Sequence, residues 1–527
     1  MTTLRPTLAA LGLVLALLSA SAPAQLTTEA IDHLVEDAMR KFEVAGVAVA
    51  VVKDDAIVHA KGYGVRSIDA EGAVDKDTNF SIASNTKAFT TAALAILVDE
   101  GLISWQDKVR KHIPEFRMYD AYVTESFNIE DLLTHRSGLG LGVGDLMFIP
   151  DGSDFTMKDI IASFQHFEPV SAFRTKFDYD NLLYLVAGEV IARVSGMGWE
   201  DFVKQRILVP LGMNHTATGI DALAGAGNAA TPHSTETGKI RTIANLRFDS
   251  EKLNDAAGGI YSNVDDLCCW MRLQLNEGRY GPGLEQRLFS EARQREMWMI
   301  HTSLPARRDP RYASHFRGYG LGWFLSDLNG TMSVTHTGGL PGMLSKTILI
   351  PDLELGIVVL TNTSNGGGGL FSAVSQTILD GYLGLDDFGW TDKQLARYEA
   401  ATAAGDAVTA KVWETVEAAK HRPIDAAAFV GIYEDRWFGK VEVYTAGDQL
   451  MIRAHRSPKL RGPLRYYQAN AFAVKWDYQD MNADAFAIFS LDQEGQAQSL
   501  ELKGISPNID FSFDFQDLDL KRIKPSK

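Results

Sequence analysis

The spacing of hydrophobic and polar positions changes along the chain, and each change predicts a different element. In residues 28–42 apolar side chains recur every three or four positions, which predicts a helix. Residues 46–52 form a continuous valine-rich run, typical of a buried strand, and a second strand is predicted at 57–65. Between residues 102 and about 307 most periodic segments are helical and are separated by glycine and proline.

Strand-like runs return after this helical region. The predicted strands are 319–325, 332–335, 344–350 and 355–361. The glycine run 366–369 lacks the Gly-Lys-Ser/Thr ending of a phosphate-binding loop, so it is interpreted as a flexible connection before a helix at about 370–383. Strands at both ends of a helical insertion predict an α+β fold, an antiparallel sheet flanked by helices. The active site is expected where the sheet and the insertion meet.

Composition shifts again in the last quarter of the chain. Residues 392–420 are alanine-rich and predicted to be helical, and Arg422-Pro423 marks a boundary. Short alternating strands follow and predict a small all-β domain, a closed barrel, with strands at 441–444, 450–454, 486–491, 500–502 and 511–515. The predicted organisation is a leader at 1–24, an α+β domain at 25–385, a helical linker at 386–421 and the β domain at 422–527.

Residues 1–24 have the pattern of a cleavable signal peptide. Arg5 precedes an apolar core at 8–18, and an Ala-x-Ala pattern predicts cleavage after Ala24. The core is too short for a comfortable membrane span, and the cleavage point lacks the cysteine that a lipid anchor would need. A secreted or periplasmic protein without a membrane anchor is predicted.

The composition narrows the classes of partner. The chain has 527 residues, and its 46% hydrophobic and 22% charged content is ordinary for a soluble protein. A formal net charge of -16 argues against nucleic acid or an anionic membrane as the main partner. The only cysteines, Cys268 and Cys269, are predicted to be apolar residues of a helix at 264–275, so no disulfide is expected. The 12 histidines lack ligand spacing, and neither a metal nor a cofactor is predicted.

Ser84-Asn85-Thr86-Lys87 is the first candidate for chemistry. Serine and lysine three positions apart on a helix lie on one face, so the amine can reach the hydroxyl. A serine becomes a nucleophile when a neighbour takes its proton, and a lysine can do so once burial lowers its pKa from roughly 10.4. The apolar run 88–98 supplies that burial. About one or two Ser-x-x-Lys matches are expected by chance in such a chain, so the alternative is the start of a surface helix.

Tyr179-Asp180-Asn181 is the second candidate. A phenol near Ser84 and Lys87 could pass a proton to a leaving group, and a neutral amide could hold a substrate carbonyl. Tyr261-Ser262-Asn263 has the same pattern. For this rival the alternative is a turn in which Asn263 caps the following helix.

His336-Thr337-Gly338-Gly339 is the third candidate, at the end of the predicted strand 332–335. A donor or cation at a strand edge, beside glycines that let a substrate backbone approach, suits one wall of an acyl-transfer site. If this motif stood alone, a solvent-facing turn would be the preferred interpretation.

These three motifs, in this order, resemble those of the serine β-lactamase and penicillin-binding-protein superfamily. The closer resemblance is to the class C β-lactamase-like group, which includes D-aminopeptidases, carboxypeptidases, esterases and related serine peptidases. It covers roughly residues 28–385 and includes scaffold-like segments at 131–139, 210–213 and 258–262. The carboxy-terminal domain resembles the lipocalin-like β domain often found behind such peptidases.

The resemblance implies roles for the motif residues. Ser84 would attack a carbonyl, and Lys87 and Tyr179 would share the duties of general base and acid, in an order that the pattern leaves open. The backbone N–H groups of Ser84 and Gly339 would form the oxyanion hole. Water would then release the acyl group. The residues implied to bind substrate are Asn181, His336 and Gly338.

One departure from the family pattern bears on the substrate. Many β-lactamases carry Lys-Thr-Gly at the third motif, whereas His336 stands there in this chain. A histidine, with a free pKa of roughly 6.5, is mostly neutral at pH 7 and would hold a substrate carboxylate poorly. Negligible β-lactam turnover is therefore expected. The His-x-Gly form is similar to that of aminopeptidases and amidases in the group.

The predicted function is an exported serine hydrolase that works through an acyl-enzyme on a small peptide, amide or ester, with short or D-residue-containing peptides favoured. A carboxylesterase is the nearest alternative, and a non-catalytic penicillin-binding-like sensor is the alternative from another class. His135 is interpreted as structural, and Trp437 and the phenylalanines of 511–515 as core. Two roles stay open for the β domain, docking a partner and forming a homo-oligomer.

Overall fold

The structure, a computed structural model, describes residues 26–223, 227–236, 238–246, 253, 255–306, 311–480 and 482–523. The predicted signal peptide at 1–24 lies outside the described residues. In the described chain no single helix is long and apolar enough to cross a membrane. The segments Leu182–Ser195 and Trp199–Leu211 have the length and composition of a membrane-crossing helix only when they are taken together, and the chain bends by 74° between them.

The α-helices of the described chain are α1 Thr28–Phe42, α2 Thr86–Asp99, α3 Val109–His112, α4 Ala121–Ser126, α5 Ile129–Leu133, α6 Met157–Ser163, α7 Leu182–Ser195, α8 Trp199–Val203, α9 Val209–Leu211, α10 Ile220–Leu223, α11 Asp255–Gly258, α12 Val264–Leu275, α13 Glu291–Met297, α14 Gly366–Tyr382 and α15 Trp390–Ala419.

The strands form one large sheet, a barrel and three short pairs. The strands of the described chain are β1 Gly46–Lys53, β2 Ala56–Gly64, β3 Phe80–Ser81, β4 His233–Ser234, β5 Arg241–Thr242, β6 Tyr261–Ser262, β7 Arg279–Tyr280, β8 Gln286–Arg287, β9 Thr302–Leu304, β10 Arg317–Tyr319, β11 Phe324–Leu328, β12 Thr331–Leu340, β13 Met343–Ile350, β14 Leu355–Thr361, β15 Gly431–Asp435, β16 Gly439–Ala446, β17 Gln449–Ala454, β18 Arg461–Gln468, β19 Ala471–Val474, β20 Ala485–Leu491, β21 Ala497–Gly504 and β22 Leu520–Ile523. The large sheet has the order β2-β1-β14-β13-β12-β11-β10-β9, with all neighbours antiparallel. Strands β15 to β22 close into a barrel in chain order. The prediction of an α+β fold followed by an all-β barrel is confirmed, whereas the predicted domain limits stay predictions.

Strand β1 lies inside the large sheet, between β2 and β14, and both of its faces are covered. Val49 and Val51 pack with apolar residues of α1 and α14. Ala48 and Ala50 point to the other face and join the larger core with residues of α2 and α12. A strand that is buried on both faces shows no polar alternation, which explains the unbroken apolar run in the sequence.

The interpretation of the glycine run as a flexible connection is wrong, because residues 366–369 form the first turn of α14. A Cβ on Gly366 would lie 2.0 Å from the Phe42 carbonyl oxygen, and one on Gly369 would lie 2.3 Å from the Phe42 ring. The glycines therefore let α14 pack closely against the end of α1.

Three strand predictions need correction. Residues 319–325 are not one strand, because β10 ends at Tyr319, β11 begins at Phe324, and the chain bends between them. Residues 511–515 are not a strand, because their backbone is used in turns such as the 3.0 Å bond from the Phe513 N–H to the Asp510 carbonyl. Strand β12 continues beyond the predicted 332–335 and contains the whole motif at 336–339, which is therefore not a solvent-facing turn. Four barrel strands, β15, β18, β19 and β22, have no counterpart among the predictions.

Ion pairs tie the barrel to the helical insertion. Arg456 of the barrel binds the carboxylates of Asp154 and Asp159, and Lys459 binds Asp151. The chain between β21 and β22 contributes Asp510, Phe511 and Ser512 to the cavity described next.

Candidate active site

Ser84 lies at a sharp turn between a strand and a buried helix. Strand β3 leads into a 3-10 turn at Ala83–Asn85, and α2 follows at once. Ala83 has a φ of 45°, a left-handed conformation that is uncommon for a residue with a side chain. Every residue of α2 except the last two is buried, as the apolar run predicts. The turn and the helix therefore fix the position of Ser84 directly before the buried helix α2.

Lys87, in the first turn of α2, has three polar neighbours. Its Nζ atom lies 3.0 Å from Ser84 Oγ, 2.7 Å from Asn181 Oδ1 and 2.9 Å from the Ala257 carbonyl oxygen. The amide and carbonyl oxygens only accept hydrogen bonds, so they hold two N–H groups of the amine. In the neutral amine the lone pair then faces the Ser84 hydroxyl.

The surroundings of Lys87 favour this neutral form. Burial lowers the pKa of Lys87 to about 7, and the carboxylates of Asp145 and Asp180 partly offset the effect. The Nζ atom also lies 4.9 Å from the centre of the Tyr179 ring and 5.3 Å from that of the Tyr184 ring. A large fraction of Lys87 is therefore uncharged at neutral pH, as a general base requires.

Tyr179 enters the site from the segment that precedes α7. Desolvation raises the pKa of its phenol well above the usual value, and a hydrogen bond with Ser84 opposes this only in part. The phenol therefore keeps its proton at neutral pH. Of the two groups, Lys87 has the pKa suited to accept the serine proton, and Tyr179 has a proton to donate.

Asn181, the residue before α7, connects Lys87 to a buried carboxylate. Its Oδ1 accepts from Lys87 at 2.7 Å, and its Nδ2 donates to Asp145 Oδ2 at 2.7 Å. Both ends of the amide are thus used within the protein, and the geometry links Asn181 to Lys87 more directly than to a substrate carbonyl. Sequence reasoning missed Asp145, which lies in no recognisable motif.

His336 lies on β12 and is neutral. Its Nδ1–H donates to the Thr337 carbonyl at 2.6 Å, so Nε2 carries no proton and accepts from the Tyr319 hydroxyl at 3.0 Å. Burial lowers the pKa of His336 to about 3, and the charge of Lys87 acts in the same direction. The imidazole can therefore not serve as a cation for a substrate carboxylate near pH 7.

Gly338 allows β12 to approach the Ser84 turn. A Cβ at this position would lie 2.0 Å from the Ile82 carbonyl oxygen and 2.5 Å from Ser345 Oγ. Gly338 is not among the described residues that line the cavity of the site. Gly338 therefore packs against the protein, and its role in binding substrate stays a prediction.

Gly339 has its N–H in a position to bind an oxyanion. It pairs with Leu344 on β13, next to the Leu340–Met343 pair that closes a two-residue hairpin. Hydrogen-bonded and non-hydrogen-bonded pairs alternate along such a hairpin, so the Gly339 N–H points away from β13. On that side β11 pairs with β12 only as far as Thr335, which leaves the N–H open.

A cavity of about 540 Å³ lies where the sheet, the insertion and the barrel meet. The predicted site residues on its wall are Ser84, Tyr179, Asn181, His336 and Gly339. The barrel adds Asp510, Phe511 and Ser512 to the same wall. Phe511 is 39% exposed, with its ring centre 5.8 Å from that of Tyr179, which corrects its interpretation as core. Trp437, Phe513 and Phe515 are buried, as predicted.

The second Tyr-Ser-Asn motif, residues 261–263, and His135 both make contacts within the protein fold. Tyr261 and Ser262 form β6, which pairs with β3, and Asn263 caps α12 by accepting a backbone N–H at 2.8 Å. None of the three is among the described residues on the cavity wall. His135 is buried, accepts the Asp180 N–H at 3.1 Å and has its ring centre 4.2 Å from that of Tyr179.

The fold and the site together define a class of protein. An antiparallel sheet with a helical insertion, and a Ser-x-x-Lys pair at the start of a buried helix, are the arrangement of the β-lactamase and transpeptidase fold. Residues 31–374 match the family described as Beta-lactamase, and the chain belongs to that family. Residues 417–522 match a second family, described as a domain of unknown function, DUF3471. The resemblance inferred from the three motifs is confirmed.

Similar proteins agree with this assignment. The chain is 26% identical to Unguisins hydrolase ungD of Aspergillus violaceofuscus, over 78% of this chain and 75% of that protein. It is also 26% identical to Protein flp of Staphylococcus aureus strain N315, over 64% of this chain and 63% of that protein, so it spans less than two thirds of flp. The octameric penicillin-binding protein homologue from Pyrococcus abyssi has a similar structure, with a TM-score of 0.60, 22% identity, and 93% and 98% of the two chains covered. A mutant class C β-lactamase aligns with a TM-score of 0.53, 20% identity, and 66% and 96% coverage.

Proposed function

We propose that this protein is an exported serine hydrolase that works through an acyl-enzyme. The observation that carries the proposal is the 3.0 Å contact between Lys87 Nζ and Ser84 Oγ, at a position where burial lowers the pKa of Lys87 to about 7. Lysine is almost never fully buried unless it is paired with an opposite charge, and the three nearest partners of Lys87 are uncharged. A buried amine beside a serine is the arrangement that activates a nucleophile.

Each residue has a defined task in this mechanism. Lys87 accepts the hydroxyl proton while Ser84 Oγ forms a bond to the substrate carbonyl carbon. The carbonyl oxygen becomes an oxyanion, which the N–H groups of Ser84 and Gly339 stabilise. Tyr179 gives its proton to the leaving group as the bond to the carbonyl carbon breaks, and it is reprotonated from Lys87. Water, deprotonated by Lys87, then attacks the carbonyl carbon of the acyl-enzyme. The bond to Ser84 Oγ breaks, Lys87 returns the proton to Ser84, and the acid is released.

The substrate that we propose is a short or D-residue-containing peptide, cleaved at an amide bond. The resemblance to aminopeptidases and amidases at the His-x-Gly motif favours this class. No lysine or arginine is among the described residues on the cavity wall, so a penicillin carboxylate would find no cation there. The name of the relative from Aspergillus violaceofuscus, a hydrolase of unguisins, supports a hydrolytic reaction.

A carboxylesterase of the same fold is the second candidate. The same catalytic steps cleave an ester, whose alcohol leaves more easily than an amine. The cavity wall also includes the apolar side chains of Phe148, Phe177, Phe324 and Phe511, which suit an aliphatic or aromatic acyl group.

The test is the intact mass of the protein after treatment with a fluorophosphonate, beside that of Ser84→Ala. We expect one adduct on the wild type and none on the variant. A panel of D- and L-peptides and esters then separates amidase from esterase by kcat/KM. Failure to label either protein would mean that Ser84 is not activated, and the non-catalytic sensor would become the better hypothesis.

A further inference from the structure

One buried carboxylate connects the barrel to the proposed general base. Asp145 is fully buried, and its Oδ2 atom accepts hydrogen bonds from Asn181 Nδ2 at 2.7 Å and from Ser512 Oγ at 2.8 Å. Asn181 Oδ1 in turn accepts from Lys87 at 2.7 Å. Three consecutive hydrogen bonds therefore lead from Ser512 of the barrel to Lys87.

Asp145 determines which end of the Asn181 amide faces Lys87. An amide group has one donor end and one acceptor end. Asp145 Oδ2 accepts from the donor end, which leaves the acceptor end for the amine of Lys87. If the amide turned over, its N–H groups would compete for the Lys87 lone pair that must face Ser84.

The barrel also holds the segment on which Asp145 lies. The Asp514 carboxylate accepts the backbone N–H groups of Gly144 at 2.6 Å and Leu146 at 2.9 Å, the residues on either side of Asp145. Gly142 has a φ of 73°, and a Cβ there would lie 2.5 Å from the Phe511 carbonyl oxygen. The barrel and this segment therefore pack closely, because Gly142 leaves no room for a side chain and both oxygens of the Asp514 carboxylate accept hydrogen bonds from the segment.

We propose that Ser512 and Asp145 are positioning residues for Lys87, so that the barrel is part of the catalytic unit. The inference deepens the proposed function and rests on it. Both residues act through Asn181: Ser512 fixes the Asp145 carboxylate, and Asp145 orients the amide. The barrel is thereby given a role at the site that differs from docking a partner.

The charge on Asp145 affects the pKa of Lys87, and the direction of this effect can be measured. The titratable groups that face Lys87 are Asp145, Asp180, Tyr179, Tyr184, His135 and His336. Burial lowers the pKa of Lys87, and negative charge on Asp145 raises it. Burial raises the pKa of Asp145, and the Ser512 hydrogen bond lowers it. Without the Ser512 hydroxyl, Asp145 carries less negative charge, and the pKa of Lys87 falls.

The experiment measures the rate constant of fluorophosphonate labelling at Ser84 against pH, on the full chain. In Ser512→Ala we expect the midpoint of the acid limb to move to lower pH and the plateau rate to fall about tenfold, the effect of one lost buried hydrogen bond. Asp145→Asn should move the midpoint further in the same direction, because it removes the carboxylate. The control is Ser457→Ala, which removes a buried barrel hydroxyl that has no protein partner in the described chain; it should match the wild type.

A folded Ser512→Ala protein with the wild-type midpoint would overturn the inference, even if its rate were lower, because a packing defect slows labelling without shifting a pKa. Melting temperatures establish that each variant is folded. If Ser512→Ala does not fold, the midpoint of the pH profile of Asp145→Asn provides the same test. A wild-type protein that is not labelled at Ser84 would instead refute the proposed function. The two failures are thus distinguishable.

Discussion

Replacing Gly338 by alanine should slow the acylation of Ser84 strongly while the protein still folds. The added methyl group would lie 2.0 Å from the Ile82 carbonyl oxygen, and ordinary van der Waals contact begins at 3.4 Å, so β12 and the Ser84 turn must separate by about 1.4 Å. That movement displaces the adjacent Gly339 N–H from the oxygen it would stabilise. A misplacement of about 1 Å in a catalytic arrangement costs on the order of 10²-fold in rate. Overpacking of this kind also lowers the free energy of unfolding by about 1–3 kcal/mol.

The assay is the second-order rate constant of fluorophosphonate labelling, measured beside urea denaturation of the same protein. Gly368→Ala is the matched control, because apart from the backbone of its own helix the nearest heavy atom to its Cβ would be Leu344 Cδ1 at 3.9 Å, an ordinary van der Waals contact. Gly368 lies on α14 and is not among the described residues on the cavity wall. It should label at the wild-type rate. A Gly338→Ala protein that labels as fast as the control would refute the argument that this glycine sets the distance between β12 and Ser84.

The pH dependence, the substrate range and the rival motif supply three more tests. The labelling rate of the wild type should rise with pH to a plateau with its midpoint near pH 7, because Lys87 is a base only when neutral and its pKa is about 7; a rate that is independent of pH would contradict this. Nitrocefin should be hydrolysed negligibly, because His336 is neutral and its pKa is about 3; efficient hydrolysis would show that a carboxylate is held by another route. Asn263→Ala should lower the free energy of unfolding by about 1 kcal/mol, the usual contribution of a helix cap, and leave labelling unchanged. Asn181→Ala should slow labelling. If the labelling rate fell equally in Asn181→Ala and Asn263→Ala, residues 261–263 would again be candidates for the active site.

The part of the site that is local in sequence could be predicted from the sequence. Ser84 and Lys87 are three positions apart, and the apolar run beside them indicates the burial that lowers the pKa of the amine. Tyr179 and Asn181 could be found because two polar residues precede a strongly apolar helix in a recognisable order. Asp145 could not be found in this way, since its partners lie 36 and 367 positions away.

Two of the segments that were predicted wrongly have a local sequence pattern that fits two different structures. A glycine run is favoured both in flexible connections and where a backbone must approach another closely, and only the position of Phe42 decides for residues 366–369. Alternating phenylalanines at 511–515 fit a strand, yet Phe513 and Phe515 are buried while Phe511 reaches the cavity. In both cases tertiary packing overrides the local preference.

The pairing of β1 with β14 also has a consequence for the time course of folding. Val47 lies opposite Thr361, roughly 300 residues later in the chain. At a synthesis rate of about 5–20 residues per second, β14 is synthesised roughly 15–60 s after β1. During that interval only β2 can pair with β1, so the other edge of a strand that is apolar from Gly46 to Val52 presents unpaired backbone groups. Contacts of such sequence separation make folding slow, and the newly made chain is therefore most prone to aggregate before its last sheet strand emerges.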